Sequence, residues 1–363
     1  METIKKLVIL DCEGPISKND NAFELAQNFI PNGDKLFTNI SKYDDVLADF
    51  LQKPGYAAGS TLKLILPFLK AYGLTDQTME DFSEKNIVLL ENTPATLRYV
   101  QAISEPFIVS TSYEHYIKAL CKAVGFPYKN TYCTKVSLDK CPITPQEKDR
   151  LREITQEISQ MPLIEIPPYA TSLAEISASG QAAIKRLDEI FWTEISNMSI
   201  GKFLNNVTTV GGPQKAEAIR DAVNRSGAKL SNVIYFGDSI TDVEALKLVS
   251  EAGGLAVSFN GNSYAVRSAD VAVFSESNFV IAAIADLFCR IGREPALKVI
   301  LFWCRSALQE SGASGALLKQ LYTIYPGALP RAQIVTPKNV ESLINESNEY
   351  RNKVRGIGVG RLG

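Results

Sequence analysis

Five short apolar runs constrain this chain more than any other feature: LVIL (7–10), FIV (107–109), VIYF (233–236), LAVSF (255–259) and VAVF (271–274). None of them alternates polar with apolar residues. A strand with one wet face alternates, whereas a continuous run suits a parallel strand covered on both sides. Helical patterns separate the runs. In YEHYIKALCKAVGF (113–126), Tyr116, Ile117, Leu120 and Val124 recur at helical spacing, and Gly125 ends the pattern. PQKAEAIRDAVNRSG (213–227) opens on proline and closes on glycine, the usual punctuation of a helix. TDVEALKLVSEAGG (241–254) repeats the scheme with Val243, Leu246 and Val249 as its apolar row. Strand and helix in alternation predict an α/β fold with a doubly wound, parallel-sheet core.

The core is interrupted twice. Residues 16–104 read as helices joined by turns, an inserted helical cap domain. A second, mainly helical insertion spans 139–207, after a probable edge strand, TYCTKVSLD, and contains a charged helix, TPQEKDRLREITQEIS, and a proline-rich hinge, MPLIEIPPYA. Residues 1–15, 105–138 and 208–290 then make the core. Residues 291–363 form a helical C-terminal extension, in which ALKVILFWC reads as a buried helix and RNKVRGIGVGRLG as a mobile tail rather than a binding arm.

Charge excludes one class of partner: 38 Lys and Arg against 40 Asp and Glu give a net charge of -2, so no nucleic-acid-binding surface is expected. No stretch approaches the roughly 18 apolar residues that span a bilayer, so no membrane insertion is expected. The apolar run at the N-terminus is too short for a signal peptide. The six cysteines form no CxxC pair and suit reduced thiols in a cytoplasmic protein. With His115 as the single histidine, a multi-histidine metal site is out of reach.

In doubly wound sheets the functional site lies at the carboxyl ends of the strands, so the residues after each run should converge. LVIL is followed by Asp11 and Glu13, FIV by Ser110, Thr111 and Ser112, and VIYF by Gly237, Asp238, Ser239 and then Asp242. Four carboxylates at one point repel one another unless they are protonated or neutralised. A hard divalent cation, Mg²⁺ above all, is the usual remedy. Lys215, at the start of a helix leading into VIYF, adds a fixed positive charge, and the whole makes a place for phosphate. Simpler readings compete: Asp238 and Asp242 could cap the helix near Thr241, and the hydroxyls could satisfy a turn. Cys12, between two acids on an extended segment, should point the opposite way from them, into the core. Asp20 could cap a helix.

ILDCEG, IVSTS, GGPQKAEAI and YFGDSITDVEAL, in that order, resemble the four motifs of the haloacid dehalogenase superfamily, in particular its metal-dependent phosphatases. The resemblance covers the core, about half the chain, and neither interruption. It implies a Rossmann-like core in which Asp11 is the nucleophile that becomes an aspartyl-phosphate. Glu13 stands where the family usually has an aspartate acid/base. Ser110, with Thr111 in reserve, matches the motif II hydroxyl, and Lys215 the lysine. Asp11, Glu13, Asp238 and Asp242 match the metal site, Mg²⁺ being the implied cofactor and Asp238 the favoured direct ligand. Glu13 could serve through its backbone carbonyl. The implied activity is hydrolysis of a small phosphorylated metabolite under a cap. A contrasting expectation is an accessory or regulatory subunit, with little or no activity, that binds protein partners through its insertions and C-terminal region: DCEGPISKNDNAFE is also similar to archaeal proteins named as a subunit of an energy-converting hydrogenase.

Overall fold

Strand β1 (Leu7–Leu10) lies inside a seven-stranded sheet with β2 (Glu105–Tyr113), β3 (Thr131–Thr134), β4 (Val233–Gly237), β5 (Leu255–Phe259), β6 (Val271–Phe274) and β7 (Arg331–Ile334). The computed structural model describes residues 5–53, 56–167 and 172–356. The strand order is β3-β2-β1-β4-β5-β6-β7, with every pair parallel except β6 and β7. Each of the five apolar runs falls within one of the parallel strands, and β3 lies at the expected edge.

Helices α1 (Asn21–Phe29), α2 (Gly33–Asp45), α3 (Thr61–Ala71), α4 (Asp76–Lys85) and α5 (Thr93–Ile103) come between β1 and β2, and α6 (Glu114–Val124) joins β2 to β3. Between β3 and β4 lie α7 (Pro145–Gln160), α8 (Ala178–Glu189), α9 (Lys202–Asn206) and α10 (Pro213–Ser226). Then come α11 (Val243–Glu251), α12 (Ser263–Ser268), α13 (Phe279–Ile291), α14 (Arg293–Leu301), α15 (Arg305–Glu310), α16 (Gly315–Ile324) and, after β7, α17 (Val340–Arg355).

The non-alternating strand composition has a direct packing cause. Leu7 and Ile9 join a cluster with Ile219 of α10 and Leu246 of α11, while Val8 and Leu10 join one with Leu97 of α5, Leu120 of α6 and Ile284 of α13. All four residues of β1 are fully buried. Burying each such side chain contributes about 1.5–3 kcal/mol, which is why both faces must be apolar. The helix ends follow the sequence signals: Gly125 and Gly227 close α6 and α10 in the left-handed conformation, and the Phe23 amide donates to the side chain of Asp20 at the start of α1.

Four sequence readings change. Residues 16–104 and 139–207 are not two separate bodies: Leu36, Ile40 and Phe68 of the first share one hydrophobic core with Ile154, Leu187 and Phe203 of the second. The cap is built from both. Helix α5, assigned to the cap, instead packs on the sheet through Leu97 and Val100. The run read as a buried helix, ALKVILFWC, ends in the open, with Leu301 and Phe302 exposed by 63% and 70%. Part of the proline-rich hinge, residues 168–170, and residues 357–363 of the tail lie outside the described residues. Residues 351–355 belong to α17, where Arg351 is buried and the Arg355 side chain is nearly so, which is a helix and not a mobile tail. No described helix is long and apolar enough to cross a membrane.

Candidate active site

The sheet brings the predicted residues together because β1, β2 and β4 are adjacent and parallel, so their carboxyl ends open on the same side. The Asp11 amide extends the ladder by donating to the Phe236 carbonyl at 2.8 Å. Carboxylate oxygens of Asp11, Asp238 and Asp242, all buried, lie within 4.8 Å of one another. Lys215, fully buried near the start of α10, donates to Asp11 Oδ2 and to Asp242 Oδ1, each at 2.7 Å. The other oxygen of Asp11 accepts from the Cys12 amide at 2.7 Å, and the Cys12 side chain is buried in the core as expected.

Asp242 is saturated. Besides Lys215, its Oδ1 accepts from the Tyr235 hydroxyl at 2.5 Å, and its Oδ2 accepts from the amides of Asp238 and Ser239, each at 2.9 Å. Burial pushes its pKa up, but Lys215 and these donors overcome it and hold the group below the usual carboxylate range. Its geometry fixes Lys215 and the loop after β4, and its carboxylate is also one of the three close enough together to hold a metal ion. The capping reading holds only for Asp242, which forms a reciprocal cap with Ser239 on the turn at Ile240–Asp242, while the Asp238 carboxylate is taken by other partners. Asp11 differs: burial, and then the carboxylates of Asp242 and Asp238, raise it to about 8 against the pull of Lys215.

Glu13 is the expected carboxylate that the structure keeps apart. Its Oε1 accepts from the Asn21 amide at 2.7 Å, at the start of α1, so the longer side chain reaches towards the cap instead of joining the acidic trio. It still lines the cavity, and burial followed by the nearby Asp20 pushes it well above the ordinary glutamate value. Ser110 also lines the cavity, with its hydroxyl donating to Ser112 Oγ at 3.1 Å. The hydroxyl of Thr111, another lining residue, has no hydrogen-bond partner among the described residues.

The feature missed in the sequence is a pair of arginines. Arg351 donates to Asp238 Oδ2 and to the Asp238 carbonyl, the latter at 3.1 Å, while Arg355 donates to Asp238 Oδ2 at 3.1 Å. Both are buried, one helical turn apart on α17, and both line the cavity. The i, i+4 spacing in RNKVR was the available signal. It went unused because the segment read as tail. Three carboxylates (Asp11, Asp238, Asp242) therefore meet three cations (Lys215, Arg351, Arg355), and a divalent ion is not required to neutralise the trio. The donor set still fits a hard cation, because Asp11 and Asp238 present carboxylate oxygens close together in a cavity of about 100 Å³.

Gly14 makes this closeness possible. Its φ is +109°, and a Cβ there would sit 2.4 Å from Asp238 Cγ. Gly14→Ala is expected to cost about 1–3 kcal/mol from strain alone and to push Asp238 away from Asp11. A urea unfolding midpoint equal to wild type would refute it.

A doubly wound sheet with an acidic trio and a buried lysine at its carboxyl edge describes a class of α/β hydrolase sites. The model of haloacid dehalogenase-like hydrolases matches residues 89–286, and the chain belongs to that family. The solved structure of gene product AF1437 from Archaeoglobus fulgidus is similar over 99% of both chains, with 26% identity and a TM-score of 0.80. Structures of phosphoserine phosphatase are more remote. The apo form is 11% identical over 76% of this chain and 97% of its own, with a TM-score of 0.44, and the substrate-bound complex is 12% identical over 77% and 98%, with a TM-score of 0.46. No curated protein matches the chain.

Proposed function

We propose that the chain is a cytoplasmic phosphoric monoester hydrolase that acts on a small phosphorylated metabolite through a phosphorylated Asp11. The observation that carries this reading is the Lys215 bridge, a fully buried ammonium 2.7 Å from both Asp11 and Asp242. Burying a lysine is costly unless its charge is matched, and here the match orients Asp11 at the edge of the cavity. An oxygen of Asp11 attacks phosphorus as the bond to the leaving alcohol breaks. Glu13, whose pKa burial raises well above the ordinary glutamate value, gives its proton to that alcohol. Its carboxylate then takes a proton from the water that attacks phosphorus and breaks the Asp11–phosphorus bond, releasing phosphate. Ser110 or Thr111 donates to the phosphoryl oxygens, and the cap excludes bulk water. Mg²⁺ would be held by Asp11 and Asp238 and would supply positive charge to the phosphoryl group when bound.

The pairing of Asp238 with Arg351 and Arg355 favours a second reading, a scarcely catalytic accessory subunit whose acidic site has become part of its structure. One comparison separates the two. Phosphate release from a panel of small esters, with and without Mg²⁺, is expected in wild type and should fall to background in Asp11→Asn. Silence in wild type with activity gained in Glu13→Asp would move the assignment to the accessory subunit.

A further inference from the structure

Strand β7 ends the sheet, and its outer edge faces no other strand among the described residues. An open edge presents a row of backbone donors and acceptors, a template for a further strand. Which groups β7 presents follows from its ladder with β6. The Val273 carbonyl is turned away from β7, accepting from the Asn260 amide just after β5, whereas the Asp270 carbonyl accepts from the Val335 amide, each at 2.9 Å. Ala272 and Phe274, in phase with Asp270, therefore bond to β7, where they lie opposite Gln333 and Arg331. Ala332 and Ile334 alternate with these and turn their backbone groups outward. Two outward carbonyls already have a partner: that of Pro330 accepts from Trp303 Nε1 at 2.7 Å, and that of Ile334 from Asn339 Nδ2 at 2.9 Å. Pro330 itself has no N–H to give. What the edge offers is the amide and carbonyl of Ala332 and the amide of Ile334.

These groups complement themselves. In a two-fold antiparallel pairing centred on Ala332, each Ala332 amide donates to the Ala332 carbonyl of the other copy. Each Ile334 amide then meets the other copy's Pro330 carbonyl, whose second lone pair can accept it. The donor that Pro330 lacks falls opposite the Ile334 carbonyl, which Asn339 has already satisfied. The same register sets Arg331 opposite Gln333, so no like charges face each other. An unrelated strand would have to match the missing donor by chance, whereas a second copy matches it by symmetry. Beside the edge runs a groove of about 660 Å³ lined by Ile300, Leu301, Trp303 and β7 itself. Leu301 and the adjoining Phe302 are the most exposed large apolar side chains of the described residues. We propose that β7 pairs with β7 of a second copy of this chain, joining two sheets into one across a two-fold axis and covering Leu301 and Phe302.

Sedimentation velocity of the full chain over a concentration series tests this, with a species of twice the 39.8 kDa chain mass expected. Ile334→Pro removes the outer amide donor from each copy and leaves Arg331 and Gln333 on β6. It should weaken the dimer about tenfold or more, the worth of two hydrogen bonds, with an unchanged circular dichroism spectrum. A second measurement reads the register. In an equal mixture of Arg331→Cys and Gln333→Cys proteins, the two new thiols face each other on Cα atoms about 4.5 Å apart, so mild oxidation should link peptide 331 to peptide 333 by a disulfide. That cross-link decides the matter should Ile334→Pro lose its fold. A wild-type chain that stays monomeric throughout, a dimer equally tight in folded Ile334→Pro, or absence of the 331–333 cross-link overturns the proposal.

Discussion

Lys215→Met should abolish turnover and cost about 3–5 kcal/mol of stability, the range for removing one partner of a buried ion pair. Lys215 is fully buried and touches both Asp11 and Asp242. Burial by itself would drive the proton off this lysine, but the two carboxylates outweigh burial and keep it charged. Without it, two carboxylates face each other in a site where Asp11 already stands at about 8. Asp11 would keep its proton further into the neutral range and lose its nucleophilic form, with a fall in rate of about a thousandfold or more. The sign of the pH effect follows. A carboxyl group whose folded pKa lies above its unfolded one binds the extra proton in the folded state, so stability falls as pH rises between the two values. The variant should therefore be least impaired near pH 4 and most impaired at pH 8. Urea unfolding at both pH values, with phosphate release at pH 8, checks it. Wild-type behaviour in both would remove the Lys215 bridge from the mechanism.

The double variant Arg351→Gln with Arg355→Gln should bind Mg²⁺ about tenfold more tightly or better, because two guanidinium charges next to a ligand carboxylate oppose a divalent ion. Both arginines contact Asp238 Oδ2, on the carboxylate that would help hold the ion. Their loss also leaves Asp238 buried without a counter-charge, costing several kcal/mol in metal-free protein. Added Mg²⁺ should recover much of that, so the melting temperature should climb more steeply with Mg²⁺ in the variant than in wild type. Titration calorimetry gives the affinity directly. Weaker Mg²⁺ binding in the variant would show instead that the arginines hold Asp238 in position to receive the ion.

The parallel core was legible because burial on both faces leaves an unmistakable composition, as in LVIL and VIYF. The convergence of Asp11, Lys215, Asp238 and Asp242 followed from strand ends and motif order. Three things were not legible. The union of the two insertions depends on contacts such as the Asn39 side chain donating to the Ile158 carbonyl, 119 residues away, and no local pattern encodes them. The placement of Glu13 depends on α1 presenting the Asn21 amide, a matter of side-chain reach. Arg351 and Arg355 were hidden because two arginines beside a glycine-rich end look the same as solvated charge until a buried carboxylate is found opposite them.

The last turn of α17 also fastens the first loop of the protein. Arg355 donates to the Lys18 carbonyl at 3.2 Å and to the Asn19 carbonyl at 2.5 Å, spanning 337 and 336 residues of sequence. A chain without α17 can form much of the sheet yet lack both this clamp and the charge balance at Asp238. The order of the loop after β1 is thus tied to α17, and removing that helix would free the loop and Asp238 without touching a residue of the four motifs.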